Sequence, residues 1–397
     1  MDSVDFPLPP PILISPEGSF AWDVFHRRHP KLIENVIGAL PYTGDQAAAL
    51  RDLRDESMHG VITPLLPSAP DAARWREWDR GRYGKPWSDA PFLWSESFFF
   101  RRILQATGFY GSAEPATAAW ATVDPYAPMK DVELADPGLE AAFGWYAALP
   151  DLEPERRFAA LVEACVLGNR ADLVFQVTEL VENYAVLSPP LADDTAALLG
   201  RLSTDGSARV AVVCDNAGRE LLADLLLAQD LLASGLAEGI DFHVKPEPYY
   251  ISDATTADVG KALNRLRAMP GGLGAAGHRL YEYAAEGRLG IRTHPFWCSP
   301  LSFHEMPDDL RAEFDAARVV VFKGDLNYRR LVGDCLWEPT TPFSDAVAYL
   351  RGLPVAALRT LKSDVVVGVP GERVERLDAE EPDWRINGRQ TVVQFSG

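Results

Sequence analysis

The chain has 397 residues, 47% of them hydrophobic, which is enough for two or three domains with sizeable cores. Its 57 acidic residues against 38 Lys and Arg leave a net charge of −19, and with no basic run this points away from a nucleic-acid partner. Cys165, Cys214, Cys298 and Cys335 are scattered without a CxxC pair or a zinc spacing, so they read as buried thiols in a reducing compartment.

The chain opens MDSVDFPLPPPILISPEGSF, acidic and proline-rich, with neither a charged n-region nor an h-region. No signal peptide or membrane span is visible, and a cytoplasmic location without a membrane partner is expected. Residues 1–18 form a proline-rich arm. This arm has little chemistry to offer, and Ser19 to Leu40 follows it as an amphipathic helix interrupted at Pro30. From Asp45 to about Leu187 the apolar spacing is mostly helical, and residues 19–202 read as a helical domain. Two places in it carry dense polar content. In Trp94-Ser95-Glu96-Ser97-Phe98-Phe99-Phe100-Arg101-Arg102, helical spacing puts Glu96, Phe99, Phe100 and Arg101 on one side, so that Glu96 pairs locally with an arginine. Gly168-Asn169-Arg170-Ala171-Asp172 closes a helix.

Residues 203–207, Ser-Thr-Asp-Gly-Ser, mark a linker, and the texture then changes. Apolar, β-branched runs at Arg209–Val213, Asp241–Val244, Ala317–Phe322, Val355–Leu358, Val365–Val367 and Thr391–Phe395 alternate with amphipathic stretches. That is the pattern of a mostly parallel sheet covered by helices. Residues 203–397 are therefore expected to form a three-layer α/β/α sandwich, an α/β fold joined to the N-terminal helical domain.

Polar groups gather where these strands end. Cys214-Asp215-Asn216-Ala217-Gly218 follows the first strand, and Asp253 lies on the loop after the second. Lys323-Gly324-Asp325-Leu326-Asn327-Tyr328-Arg329-Arg330 follows the third, and Arg359-Thr360-Leu361-Lys362 the fourth. Asp215, Asn216 and Asp253 can each be helix caps. The crevice at the carboxyl ends of strands is also where ligands bind in such sheets. Carboxylate and amide oxygens suit a hard divalent cation such as Mg²⁺ or Mn²⁺, and Lys and Arg beside them suit a phosphoryl group. The chemistry indicated is metal-assisted phosphoryl transfer from a small molecule, with a metal-activated water or a carboxylate attacking.

Two patterns lead elsewhere and are set aside. Gly272-Leu273-Gly274-Ala275-Ala276-Gly277 matches GxGxxG but follows a helical pattern, whereas a dinucleotide fingerprint needs a preceding strand. The seven histidines show no ligand spacing. His243, on the strand leading toward Asp253, is the best exception.

CDNAGRELLADLLLAQDLL, KPEPYYISDAT, FKGDLNYRRLVGD and RTLK together resemble the metal-dependent damage-control phosphatases of the "domain of unknown function 89" family. The branch they resemble is subfamily III, named for a proposed acidic-residue methyltransferase and marked by an Arg-Thr-x-Lys motif, here Arg359 to Lys362. PFLWSESFFFRRI and LGNRADL extend the likeness upstream. Leu167 and Val174-Phe175-Gln176 depart from the family pattern in the helical region. The resemblance implies Asp215, Asn216 and Asp253 as metal ligands. It implies Asp215, Asn216, Asp325, Leu326, Asn327, Tyr328, Arg329 and Lys362 around the phosphorylated substrate. Asp215 and Asp325 are the candidate catalytic carboxylates, to attack or to act as base where a metal-bound water does not attack directly. The resemblance further implies fructose 1-phosphate- or fructose 6-phosphate-like substrates in metabolite damage control, and Mn²⁺ as cofactor, with Co²⁺, Ni²⁺ or Mg²⁺ as alternatives. An S-adenosylmethionine-dependent carboxyl methyltransferase and a non-catalytic sugar-phosphate or metal binder remain the competing readings. No strand here feeds a glycine-rich loop for S-adenosylmethionine.

Overall fold

Residues 8–111, 118–168, 189–204 and 208–397 are described by a computed structural model. The run expected at Arg209–Val213 is strand β1, in the middle of a six-stranded sheet of order β3-β2-β1-β4-β5-β6. The others are β2 (Gly239–Val244), β3 (Leu289–Thr293), β4 (Val320–Lys323), β5 (Val355–Thr360) and β6 (Thr391–Ser396). Strands β1 to β5 pair in parallel, and β6 runs antiparallel to β5. The chain leaves β1 for β2 on one side and returns to β4 on the other. Neighbouring strands whose connections leave in opposite directions open a crevice at their carboxyl ends.

Alternate side chains along each strand face opposite ways, and the sheet separates two cores. Ala211, Val213, Val320, Phe322, Val355 and Ala357 belong to one. Val210, Val212, Val319, Val321, Ala356 and Leu358 belong to the other. Helices cover both faces, giving the expected three layers. The first core continues without a break from the sheet into Phe25, Ile33, Trp75, Phe98 and Phe99 of the N-terminal helices. The second is closed by the helices Pro154–Leu167, Thr195–Leu202 and Arg219–Ser234. The helix Phe92–Thr107 is buried on nearly every side, Glu96 and Arg101 included, each of those charges being paired across the fold.

The expected pattern departs from the structure at one strand missed and one strand wrongly expected. Strand β3 was not foreseen because it is an edge strand in which only Leu289 is fully buried, so its sequence carries no β-branched run. Val365–Val367 is irregular instead of a strand. Its backbone is taken by side chains: Arg359 Nη1 donates to the Val365 carbonyl at 2.5 Å, and Gln394 Nε2 to that of Val367 at 2.7 Å, while the Val367 N–H donates to the Tyr328 hydroxyl at 3.2 Å. The proline-rich arm, from Leu8 onward, is fixed. Ile12 and Ile14 are buried, and the Ile12 N–H donates to the Asp334 carbonyl at 3.0 Å.

The GxGxxG stretch lies inside the helix Gly271–Ala285. A Cβ at Gly274 would overlap the Met269 carbonyl, and one at Gly277 would sit 2.8 Å from Leu266 C. Those glycines let this helix close onto the preceding one, which explains the motif without a dinucleotide. All four cysteines are free and buried. Among the described residues no helix is long and apolar enough to cross a membrane.

Candidate functional site

The turn after β1 and the loop after β2 are stitched together by their backbones. The Cys214 N–H donates to the His243 carbonyl at 3.0 Å, the Ala254 N–H to that of Asp215 at 2.8 Å, and the Ala217 N–H to that of Ser252 at 2.7 Å. This brings Asp253 against Asp215 and Asn216, residues that the sequence separates by almost forty positions. Both carboxylates are buried. Asn216 Nδ2 donates to Asp215 Oδ2 at 2.7 Å and to Glu220 Oε2 at 2.9 Å, and the Ser252 hydroxyl donates to Asn216 Oδ1. The approach to this cluster includes Tyr250 and Ile251, consecutive non-glycine residues at φ +42° and +66°, a strained conformation that a surrounding structure must impose.

From the other side of the crevice, β4 passes directly into the helix Gly324–Val332. Gly324 is required twice over. It has φ +79°, and a Cβ there would overlap the Asp215 carboxylate. Asp325 in the first helical turn accepts from Arg359 Nε at 2.8 Å and from the Lys362 N–H at 3.0 Å. Burial alone would raise its carboxyl, but Arg359 and Arg329 overcome this and hold it below the usual carboxylate range. Arg359 is fully buried and Thr360 donates to the Val166 carbonyl at 2.7 Å. Of the Arg-Thr-x-Lys motif, then, only Lys362 reaches open space.

A cavity of about 360 Å³ brings together Asp215, Asn216, Asp253, Asp325, Leu326, Arg329 and Lys362. Asn327 and Tyr328 are not brought to its wall. Asn327 Nδ2 donates to the carbonyls of Cys214 at 3.0 Å and Lys323 at 2.8 Å, tying the ends of β1 and β4. The Tyr328 hydroxyl donates to Gln394 Oε1 at 2.9 Å, bracing its helix against β6. Arg329 is in the wall but fully engaged, with Nε and Nη2 on Asp334 at 2.9 and 3.0 Å and Nη1 on Glu96 at 2.7 Å. Glu96 therefore pairs across the fold instead of locally, and its neighbour Arg101 turns away to Asp71.

The cavity also takes in Phe20, Val24, Arg28, His29 and Leu32 from the first helical segment, with Phe100, Tyr250, Ile251 and Ser252. The amphipathic segment that follows the arm thus forms a wall. Its Phe, Val and Leu look like any core positions in sequence, and only Arg28 at four-residue spacing from them could have signalled the site. His29 lies stacked on Phe99 with ring centroids 3.9 Å apart. Burial, helped by the Arg28 charge, pushes its imidazole down to about 3, so it stays neutral. His243 is far from this role, buried between Trp297 and Phe314 and pushed down to about 4 by burial.

Burial pushes the Asp215 carboxyl well up, and the like charges of Glu220 and Asp253 push the same way against Lys245 and Lys362. Asp253 is raised too, chiefly by burial, with Lys245 opposing. Lys245 Nζ lies 3.1 Å from Asp253 Oδ2 but off the line of a hydrogen bond, leaving that buried oxygen without a donor. Crowded, buried oxygens of this kind fit a divalent cation, whose charge would compensate them. Among the described residues, three or more His, Cys, Asp or Glu side chains nowhere gather as a ligand group, so the set rests on two carboxylates and the Asn216 amide. Behind it, Lys323 is held 3.2 Å from both Glu220 and Asp224. Asn169, Arg170 and Asp172 lie outside the described residues. At Gly168 a Cβ would come 2.7 Å from Glu220 Cα, so a glycine there lets the two helices meet behind the site.

Residues 24–377 match the model of the damage-control phosphatase ARMT1-like domain. The chain is 30% identical to damage-control phosphatase ARMT1 of Danio rerio, over 98% of this chain and 97% of that protein. It is also 30% identical to damage-control phosphatase ARMT1 of Homo sapiens, over 96% and 97%. In structure it is similar to a DUF89 family protein from Pyrococcus horikoshii, with a TM-score of 0.51 at 13% identity, covering 94% of this chain and 96% of that one.

Proposed function

The chain belongs to the damage-control phosphatase ARMT1-like family, and from that membership we propose that it is a metal-dependent phosphatase of small phosphorylated metabolites. Its substrates are sugar phosphates of the fructose 1-phosphate or fructose 6-phosphate kind, and its metal is Mn²⁺. One observation supports this reading most. Two buried, mutually repelling carboxylates and an amide share a cavity with a lysine that no carboxylate pairs with among the described residues.

Asp215, Asn216 and Asp253 would hold the cation, which supplies Lewis acidity toward a phosphoryl oxygen when bound. Lys362 neutralises charge on the remaining phosphoryl oxygens, while Arg329, already saturated, keeps Glu96 and Asp334 in place. Asp325, held ionised by Arg359, is the carboxylate ready to accept a proton or a substrate hydroxyl. Phe20, Val24, Leu32, Phe100 and Ile251 pack the organic part of the substrate and exclude water from it.

The test is inorganic phosphate release from fructose 1-phosphate, fructose 6-phosphate and p-nitrophenyl phosphate, after chelation and with Mg²⁺, Mn²⁺, Co²⁺ or Ni²⁺ restored singly. Turnover should return with metal, most with Mn²⁺, and fall by about two powers of ten or more in Asp253→Ala. No release from the wild type with any of the metals sinks the reading.

A further inference from the structure

We infer that Arg28 is a specificity-determining residue, selecting phosphorylated substrates that carry a second acidic group, a second phosphate or a carboxylate. This rests on the phosphatase reading above and names its substrate class more closely. Few of the cations in and around the cavity have charge left to give. Arg329 is committed to Glu96 and Asp334, Arg359 to Asp325, Lys245 to Asp253, and Lys323 to Glu220 and Asp224. Among the described residues Lys362, without a carboxylate partner, and Arg28, with only a shared one, are left. Lys362 sits beside the metal-site carboxylates, since its N–H bonds Asp325 and its charge acts on Asp215. It is placed for the phosphoryl group that reacts.

Arg28 comes from another wall, the first helical segment, among Phe20, Val24 and Leu32. Its partner is Asp23, 3.3 Å from Nε, but the same carboxylate also takes Arg27 at 3.2 Å. One carboxylate between two guanidinium groups leaves an uncompensated positive charge, in a protein whose net charge is −19. Arg28 also stands on a different wall from Lys362 and the metal-site carboxylates, so the counterpart to that surplus is a group other than the reacting phosphoryl. A second anionic group on the substrate would supply it, through a charge-assisted bond of the kind arginine makes to phosphate and carboxylate.

The backbone is built to keep Arg28 there. Phe20, Val24, Arg28 and Leu32 recur every four residues, and in an α-helix that spacing drifts by about 40° per step. Val24–Arg28 is instead a π-helical turn, whose i→i+5 bonding widens the turn and reduces the drift. Arg28 thereby stays on the cavity face, stacked 4.8 Å from the Phe20 ring centroid.

The experiment compares fructose 1,6-bisphosphate with fructose 6-phosphate, on Mn²⁺-loaded wild type, Arg28→Gln and Arg28→Lys, by steady-state phosphate release and by calorimetric binding. Arg28→Gln should raise KM for the bisphosphate about tenfold or more relative to the monophosphate, with kcat nearly unchanged, and Arg28→Lys should restore most of it. Equal KM shifts for both sugars, no shift for either, or loss in kcat alone overturns the inference while leaving the phosphatase reading intact. If the wild type releases no phosphate, the phosphatase reading falls. Calorimetry then decides: bisphosphate binding weakened selectively by Arg28→Gln supports the anion site, and identical or absent binding overturns it.

Discussion

At the scale of single residues, the side chains nearest the chemistry are set by what surrounds them. Asp215 and Asp325 are both aspartates at strand ends, yet burial and like charge push the first up while Arg359 and Arg329 hold the second down. Because the native Asp325 value lies below its unfolded one, roughly 3.9, it contributes stability above that pH and loses it as pH falls through the native value. In urea unfolding, wild type should exceed Asp325→Asn in stability near pH 7, and the gap should close as pH drops below about 4. A constant gap down to pH 2 would place the carboxylate outside the Arg359 pairing. The types of residue at the site were legible in sequence, since Asp, Asn and Lys at strand ends stand out from apolar runs. Their assignments were not, because pairing is a property of space. Arg329 looks like a free cation until Asp334 and Glu96 are seen to occupy it, and Lys362 looks no different from Arg359 until one is open and the other sealed.

At the scale of elements, β1, β2, β4 and β5 were readable because central strands need unbroken apolar runs, and β6, though at the sheet's edge, because its first four residues are buried. The edge strand β3 and the irregular Val365–Val367 were not, the first lacking that demand and the second buried for another reason. The helix Gly324–Val332 shows the same limit. Its residues 325 to 329 read as one substrate-binding segment, but a helix turns, and only Asp325, Leu326 and Arg329 face the cavity. Tyr328 points to β6, so Tyr328→Phe should cost about 1–3 kcal/mol in unfolding free energy by stranding Gln394. KM for a sugar phosphate should stay at the wild-type value; a raised KM would return Tyr328 to the substrate wall.

At the scale of the molecule, the metal site is a source of instability when empty. Asp215 and Asp253 have native values raised above their unfolded ones, so the metal-free fold keeps their full contribution below about pH 4 and loses it as pH rises through the raised values. A divalent cation binds the ionised form and offsets this loss, by about 2.7 kcal/mol at a hundredfold excess over Kd. Differential scanning fluorimetry should therefore show a larger Mn²⁺-induced rise in Tm at pH 8 than at pH 5.5. Equal rises at both values would mean that the cation binds elsewhere. One consequence of the first helical segment's place in the cavity wall concerns synthesis. That segment leaves the ribosome about 320 residues before Lys362, an interval of roughly 16 to 64 seconds at ordinary elongation rates. Until then the sheet that its Phe25, Ile33 and Val36 share a core with is incomplete. The wall that selects the substrate is thus made, and its Phe25 packed against Trp87, Phe92 and Phe99, long before the strands that complete the site it faces.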